Sequence, residues 1–283
     1  MRGAPRAAHD DFVPPLRWAR EERMKGSPLS VCLVTLGTLT VAWAPVTPTV
    51  FDTTLGEQDV RTAEVSTAEL RVILTDGRTL VLDARPHQEW ATSHIPGALN
   101  VAPKPGVSAG AYVSDVREIE RLTNGDHSRA LVLYCNGPFC GKSKRLSEEL
   151  LAAGFTNVRR YQLGAPVWRA LGGEMVIEPE GARYVAQNDR TAWWVDARPA
   201  GAFGAGSLPG ARNVPEGEVG KAKDDGRLPM LDHNTRVIVF GEDAAQARRV
   251  ADELLRNAFH NVTFYDSSYQ ALRAVLNSPI VER

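Results

Sequence analysis

Cys135 and Cys140 are the two residues of this chain best placed for nucleophilic chemistry. The apolar sequence LVLYC at 131–135 predicts a buried strand, and the residues after it predict a loop and then a helix that begins near Ser143. A thiol at the end of a strand and in front of a helix has a lowered pKa, because helix amides and the helix dipole stabilise an anion. The pattern therefore predicts that Cys135 is a nucleophile in an anion-binding loop.

The rest of this loop predicts how the anion would be held. We expect Gly137 and Gly141 to adopt positive φ angles that turn backbone amides toward the thiol. Lys142 carries the only formal charge in the stretch from Cys135 to Lys142, and we expect it to bind the anion. The alternative is an ordinary solvent-exposed lysine at the start of a helix. Ser143 would cap the helix or donate its hydroxyl to sulfur. The predicted substrate-binding residues are Asn136, Gly137, Phe139, Cys140, Gly141, Lys142 and Ser143.

Cys140 has two interpretations. It could be a resolving thiol that attacks a persulfide or sulfenate on Cys135 and forms a disulfide. It could instead be a small buried hydrophobe under the loop, as most free cysteines are. A bridge needs Cα atoms less than about 7 Å apart, so the separation across the loop decides whether the first interpretation is possible. With three cysteines in the chain, a disulfide framework and a paired zinc arrangement are excluded, and no metal is expected.

The elements that must position this loop occur twice. The segment VLDARPHQEWATSHIPGALNV at 81–101 returns as WVDARPAGAFGAGSLPGARNV at 194–214, which indicates a two-copy internal repeat. Each copy alternates apolar strands with helical stretches, and this alternation predicts an α/β fold with a mainly parallel sheet and helices on both faces. We expect two tandem domains, at 62–175 and 176–283, each large enough for its own core.

The repeated residues resemble those of a tandem rhodanese-like protein. The resemblance rests on the DAR turn at 83–85, the HIPGALN stretch at 94–100, the YC loop that opens a helix, and the GF–NV–Y strand at 154–161. It implies two domains with the rhodanese-like fold and a sulfurtransferase that forms a persulfide on Cys135. Gly241 stands at the corresponding position of the second copy, so the resemblance implies a catalytic first domain and an inactive second domain.

The resemblance also implies the ligands. The donor would be thiosulfate or a similar small sulfur-containing anion, the acceptor would be a thiol or cyanide, and no cofactor is expected. Two alternatives stay open. One is an exported redox-sensing or binding module in which Cys135 and Cys140 toggle as a disulfide. The other is an arsenate-like or phosphate-like oxyanion site, because the stretch from Cys135 to Lys142 is longer than the six-residue loop of most sulfurtransferases, although a lysine organises phosphate less well than an arginine.

Asp83 and Arg85 are predicted to be structural residues near the site. They are repeated as Asp196 and Arg198 in the copy that lacks the thiol, so they cannot serve catalysis alone. A buried ion pair that ties the strand end to the Cys135 loop is the expected role.

The net charge bears on nucleic-acid binding, and the leading segment bears on localisation. The formal net charge of −1 offers no basic surface for nucleic acid. We expect 1–23 to be a disordered extension and 24–50 to be a signal peptide or membrane anchor, because basic residues precede an uncharged apolar run that closes on Ala42–Ala44. An uncleaved anchor would cross the membrane through 27–46, for which about 20 apolar residues suffice. Both interpretations place the domains in the periplasm or otherwise outside the cytoplasm, whereas a third is an apolar arm with no targeting role.

Overall fold

The computed structural model describes residues 47–58, 61–101 and 116–278. The extension at 1–23 and all but the last residues of 24–50 lie outside the described residues, so the predicted signal or anchor is not among them. In the part of the chain that is described, no helix is long and apolar enough to cross a membrane.

Two five-stranded parallel sheets, one in each copy, form the framework of the described chain. The strands of the first sheet are β1 (Ala63–Glu64), β2 (Leu80–Asp83), β3 (Leu99–Asn100), β4 (Leu131–Tyr134) and β5 (Val158–Tyr161). Those of the second are β6 (Val176–Ile177), β7 (Trp193–Asp196), β8 (Arg212–Asn213), β9 (Val237–Gly241) and β10 (Val262–Ser268). The spatial order β1-β5-β4-β2-β3 recurs as β6-β10-β9-β7-β8, so the sequence repeat is a structural repeat.

Helices connect these strands. The first copy contains α1 (Thr67–Asp76), α2 (His87–Thr92), α3 (Val116–Leu122), α4 (Gly141–Ala152) and α5 (Gly164–Ala170), preceded by a 3-10 turn at Val50–Asp52. The second contains α6 (Pro179–Asn188), α7 (Ala200–Gly204), α8 (Val219–Asp224), α9 (Ala244–Arg256) and α10 (Tyr269–Asn277).

Burial explains why β4 and α4 take these positions. Every residue of β4 is buried and the strand lies in the middle of its sheet, as expected for an uninterrupted apolar run in a parallel sheet. Val132 packs on one face with Leu70 of α1, and Leu133 packs on the other with Leu146 of α4. The predicted fold, two tandem α/β domains with parallel sheets and helices on both faces, is confirmed.

The two copies share an interface in which α2 of the first packs on α6 of the second. The amide of Glu178 donates to the carbonyl of Ala91 at 2.8 Å. His94 and Val176 exchange two backbone hydrogen bonds, at 3.0 and 2.8 Å, in an antiparallel bridge. The helices approach so closely at Gly181 that a Cβ there would lie 2.0 Å from the carbonyl oxygen of Ala91. A side chain at this glycine therefore cannot be accommodated unless the two copies separate.

We predict that Gly181→Ala lowers the free energy of unfolding by about 1–3 kcal/mol, because the methyl group forces α2 and α6 apart. The matched control is Gly220→Ala in α8, where nothing lies within 4 Å of the new Cβ. That control should be neutral or slightly stabilising, since alanine favours a helix. Denaturant unfolding measures both variants, and equal stabilities would contradict the tight α2–α6 contact.

His94 is a buried histidine of this interface. Its Nδ1 donates to the carbonyl of Trp90 at 2.9 Å, and its Nε2 lies 3.5 Å from a carboxylate oxygen of Glu178. Burial lowers the pKa of His94 to about 4, an effect that outweighs the hydrogen bond to Trp90. The folded protein therefore keeps this imidazole neutral at pH values where the unfolded chain would protonate it.

We predict that the free energy of unfolding decreases as the pH is lowered from about 6.5 to about 4, in part through His94. In this window the unfolded state binds more protons than the folded state, so acid favours unfolding. His94→Gln should reduce this loss by about 1–3 kcal/mol. Burial raises the pKa of Glu178, which contributes with the opposite sign in both proteins. Identical slopes in wild type and His94→Gln would refute the assignment.

Candidate functional site

Cys135 directly follows β4, and its side chain is 2% exposed. Six residues, Cys135–Cys140, connect the strand to α4, which begins at Gly141. The structure differs here from the sequence prediction, which placed the helix start near Ser143 and a longer loop between Cys135 and Lys142.

The two cysteines of the loop meet. Cys135 and Cys140 are paired as a disulfide, and their Cα atoms are 6.5 Å apart, within the range that a bridge requires. The sulfur of Cys135 also lies 3.3 Å from the carbonyl oxygen of Cys140. Cys140 is partly buried and packs against the apolar cluster beneath the loop. The Cys140 side chain thus contacts both the sulfur of Cys135 and the apolar cluster beneath the loop.

Ser143 is the hydroxyl partner of the sulfur. Its Oγ donates to Sγ of Cys135 at 3.6 Å, and the side chain is buried. The alternative prediction, that Ser143 caps the helix, is wrong because Cys140 occupies the N-cap position and Ser143 lies inside α4. A hydroxyl fixed in this position can stabilise a negatively charged sulfur.

Glycines determine the path of the loop. Gly137 has a φ of +99°, as predicted, whereas Gly141 is the first residue of α4 and is not among the glycines with positive φ. Gly164 has a φ of +67°, and a Cβ there would lie 2.3 Å from the amide nitrogen of Gly137 and 2.4 Å from the carbonyl oxygen of Cys135. The next amide, that of Ala165, donates to this carbonyl at 3.0 Å. The start of α5 is therefore packed directly under the cysteine loop.

The head of α4 supplies the donors of an anion site. The first amides of an α-helix have no partner within the helix, and they point toward the preceding loop. In the structure, the side chain of Cys140 at the N-cap accepts no hydrogen bond from the amides of α4. Lys142 is the second residue of this helix and is partly exposed, while Phe139 is fully exposed at the rim. The arrangement can stabilise a thiolate or a small anion in front of α4.

Two acidic residues near the loop were not foreseen from the sequence. Glu89 of α2 accepts a hydrogen bond from the side-chain amide of Asn136 at 2.5 Å. Glu57 accepts from Lys144 of α4 at 2.8 Å and from Arg160 of β5 at 3.1 Å, and the bond to Lys144 is the main reason why the pKa of Glu57 is lowered. The one available signal was a difference between the copies, since Ala202 stands where the first copy has Glu89.

Asp83 and Arg85 form the buried ion pair that the repeat predicted. The guanidinium Nη2 of Arg85 donates to a carboxylate oxygen of Asp83 at 2.5 Å and to the carbonyl of Ser93 at 2.6 Å. Burial of the guanidinium lowers the pKa of Arg85, but the attraction of the Asp83 carboxylate outweighs this effect. The pKa of Arg85 is therefore raised above its ordinary value. The sequence predicted that this pair would bind the cysteine loop. Arg85 instead donates its hydrogen bond to Ser93 at the end of α2. Contact with the loop is indirect, through the buried ring of Tyr134.

The second copy lacks this site. β9 ends at Gly241, and only Glu242 and Asp243 precede α9. The carboxylate of Asp243 accepts a hydrogen bond from the amide of Gln246 at 2.8 Å and so caps the helix itself. An anion is thus already supplied by the chain where the first copy has a thiol. Among the described residues, no cluster of three or more His, Cys, Asp or Glu side chains could hold a metal ion.

The fold and the site define a class of protein: a tandem α/β repeat whose first copy carries a cysteine in front of a helix and whose second copy does not. The chain belongs to the rhodanese-like domain family, since the family model "Rhodanese-like domain" matches residues 66–171 and 182–274. The resemblance drawn from the sequence, including its tandem arrangement, is confirmed. The roles assigned to individual loop residues stay predictions.

Several known proteins are similar to this chain. The HTH-type transcriptional regulator Rv0324 of Mycobacterium tuberculosis is 29% identical over 109 residues, which are 38% of this chain and 42% of that protein. The chain therefore spans less than half of the length of this curated relative. The thiosulfate sulfurtransferase of Pseudomonas aeruginosa has 22% identity, with 74% of this chain and 44% of that chain covered and a TM-score of 0.34. A persulfide form of EanB with ergothioneine has 16% identity, 76% and 62% coverage, and a TM-score of 0.35.

We predict that Gly164→Ala lowers the free energy of unfolding by about 3 kcal/mol or more, because the new Cβ overlaps the backbone of the cysteine loop. Gly172→Ala is the matched control: its φ is +73°, but nothing lies within 4 Å of its Cβ. The control should lose only about 1 kcal/mol, the cost of backbone strain alone. Thermal or denaturant unfolding compares the two, and similar losses would show that α5 does not support the loop.

Proposed function

We propose that this protein is a sulfurtransferase that carries sulfane sulfur as a persulfide on Cys135. The observation that carries the proposal is the position of the Cys135 sulfur, buried in front of α4 and 3.6 Å from the hydroxyl of Ser143. Membership of the rhodanese-like family supports this chemistry.

The first half-reaction loads the cysteine. The Cys135 thiolate attacks the outer sulfur of thiosulfate or a similar anion, the bond between the two donor sulfurs breaks, and sulfite leaves with the electron pair. The outer sulfur of the new persulfide carries the negative charge. Amides at the head of α4 and the Ser143 hydroxyl would stabilise that charge.

The second half-reaction unloads it. A thiol or cyanide attacks the outer sulfur, and the Cys135 thiolate leaves as it was before loading. Cyanide would yield thiocyanate, which gives a convenient assay. Loading requires that Cys135 is a free thiolate, so the paired form of Cys135 and Cys140 must be reduced first.

A second candidate function is a redox-sensing or binding module in which no sulfur turns over. The pairing of Cys135 with Cys140 favours it, because a loop that closes readily as a disulfide can exist in two states without substrate. This alternative predicts reversible oxidation of the two thiols and no thiocyanate. An exported location, proposed from residues 24–50, would suit either function.

We predict that reduced wild-type protein forms thiocyanate from thiosulfate and cyanide, and that Cys135→Ser forms at least about a thousandfold less because its nucleophile is absent. Ser143→Ala should retain activity but lose about tenfold, since one donor to the sulfur is removed. Colorimetric detection of thiocyanate measures all three proteins, and far-ultraviolet circular dichroism checks their folding. Substantial activity of a folded Cys135→Ser protein would refute the assignment, and an inactive wild type would favour the redox module.

A further inference from the structure

We propose that Cys140 resolves the persulfide on Cys135, so that this protein releases the transferred sulfur as hydrosulfide and is reset by a dithiol reductant. The inference rests on the proposed function, because a persulfide must first form on Cys135. It adds a second outcome for that persulfide, reduction to sulfide, to its transfer to an external acceptor.

The geometry of the loop carries the inference. Cys135 and Cys140 lie on one six-residue loop with their Cα atoms 6.5 Å apart, and the structure pairs their sulfurs. The Cys140 sulfur therefore reaches the inner sulfur of a Cys135 persulfide without movement of the strand or the helix. In the chain outside 1–46 these are the two cysteines present, so no other thiol of the described residues competes.

The resolving step balances without an oxidant. The Cys140 thiol gives up its proton and attacks Sγ of Cys135, the bond between Sγ and the outer sulfur breaks, and the outer sulfur leaves with the electron pair and a proton as hydrosulfide. The product is the Cys135–Cys140 disulfide. The outer sulfur, which entered as sulfane sulfur, is reduced by two electrons, and the two cysteine sulfurs are oxidised by the same amount.

The reset step has a preferred direction. Cys135 is 2% exposed, whereas Cys140 is only partly buried, so an external dithiol reaches the sulfur of Cys140 more easily. Cys135 would then be the leaving thiolate, and the amides at the head of α4 favour its departure because they stabilise its negative charge. The second thiol of the reductant frees Cys140. With thiosulfate as donor, thiosulfate and a dithiol give sulfite, hydrosulfide, a proton and the oxidised dithiol.

The test is a single turnover of the full chain. Protein is reduced, desalted under anaerobic conditions, mixed with thiosulfate and left without any further reductant. Sulfide is trapped and quantified, and intact mass is recorded. Wild type should release about one equivalent of sulfide and end about 2 Da below the reduced mass, as the disulfide. Cys140→Ser should release at least about tenfold less sulfide and retain an added mass of about 32 Da. Cys135→Ser is the control and should show neither change.

The outcomes separate this inference from the proposed function. Failure of both wild type and Cys140→Ser to react with thiosulfate, with no sulfite formed, would overturn the proposed function and the inference with it. Stable retention of the added sulfur by wild type, or equal sulfide release by wild type and Cys140→Ser, would overturn the inference alone and leave Cys135 as a carrier. Addition of a dithiol such as dithiothreitol to the spent wild type should restore both thiols and permit a second turnover.

Discussion

A buried ion pair at the end of the second strand of each copy fixes the turn on which the neighbouring elements depend. In the first copy Asp83 and Arg85 close the turn after β2, and in the second Asp196 and Arg198 close the turn after β7. Two charges with almost no exposure are stable only when they satisfy each other and when their remaining donors are used. The spare donor of Arg85 binds Ser93 at the end of α2, which is also the helix that packs on the second copy. A single pair thereby fixes both the turn and the surface on which the two copies meet.

The two copies share this framework but use the head of the following helix differently. In the second copy, Asp243 fills the position in front of α9 with its own carboxylate. In the first, the position in front of α4 is held by a neutral cysteine side chain, which leaves the helix amides for another anion. The difference is a matter of a few loop residues: the first copy has a cysteine in front of its helix, and the second has a carboxylate there.

The fold and the position of Cys135 in front of a helix were predictable from the sequence because their signals are local. Apolar runs, the duplicated DAR turn and the position of Cys135 at a strand end are all visible along the chain. The start of α4 was not, since Ser143 is a typical cap residue and Gly141 a poor helix former. The structure extends the helix because Ser143, Leu146, Ser147 and Leu150 form one buried stripe against the sheet, and this packing sets where the first turn begins. Contacts between distant segments, such as Glu89 with Asn136, leave no local signal at all.

The ion pair between Glu57 and Arg160 has a consequence for where the first domain begins. The family match starts at residue 66. Arg160, with only 3% of its side chain exposed, nevertheless pairs with Glu57, which lies nine residues before that start. A fragment trimmed to the family boundary would leave a buried guanidinium unpaired and Lys144 of α4 without its partner, at a cost on the order of 1–3 kcal/mol. The folded first copy therefore extends beyond its family definition, because Glu57, ahead of β1, supplies a carboxylate to both Arg160 and Lys144.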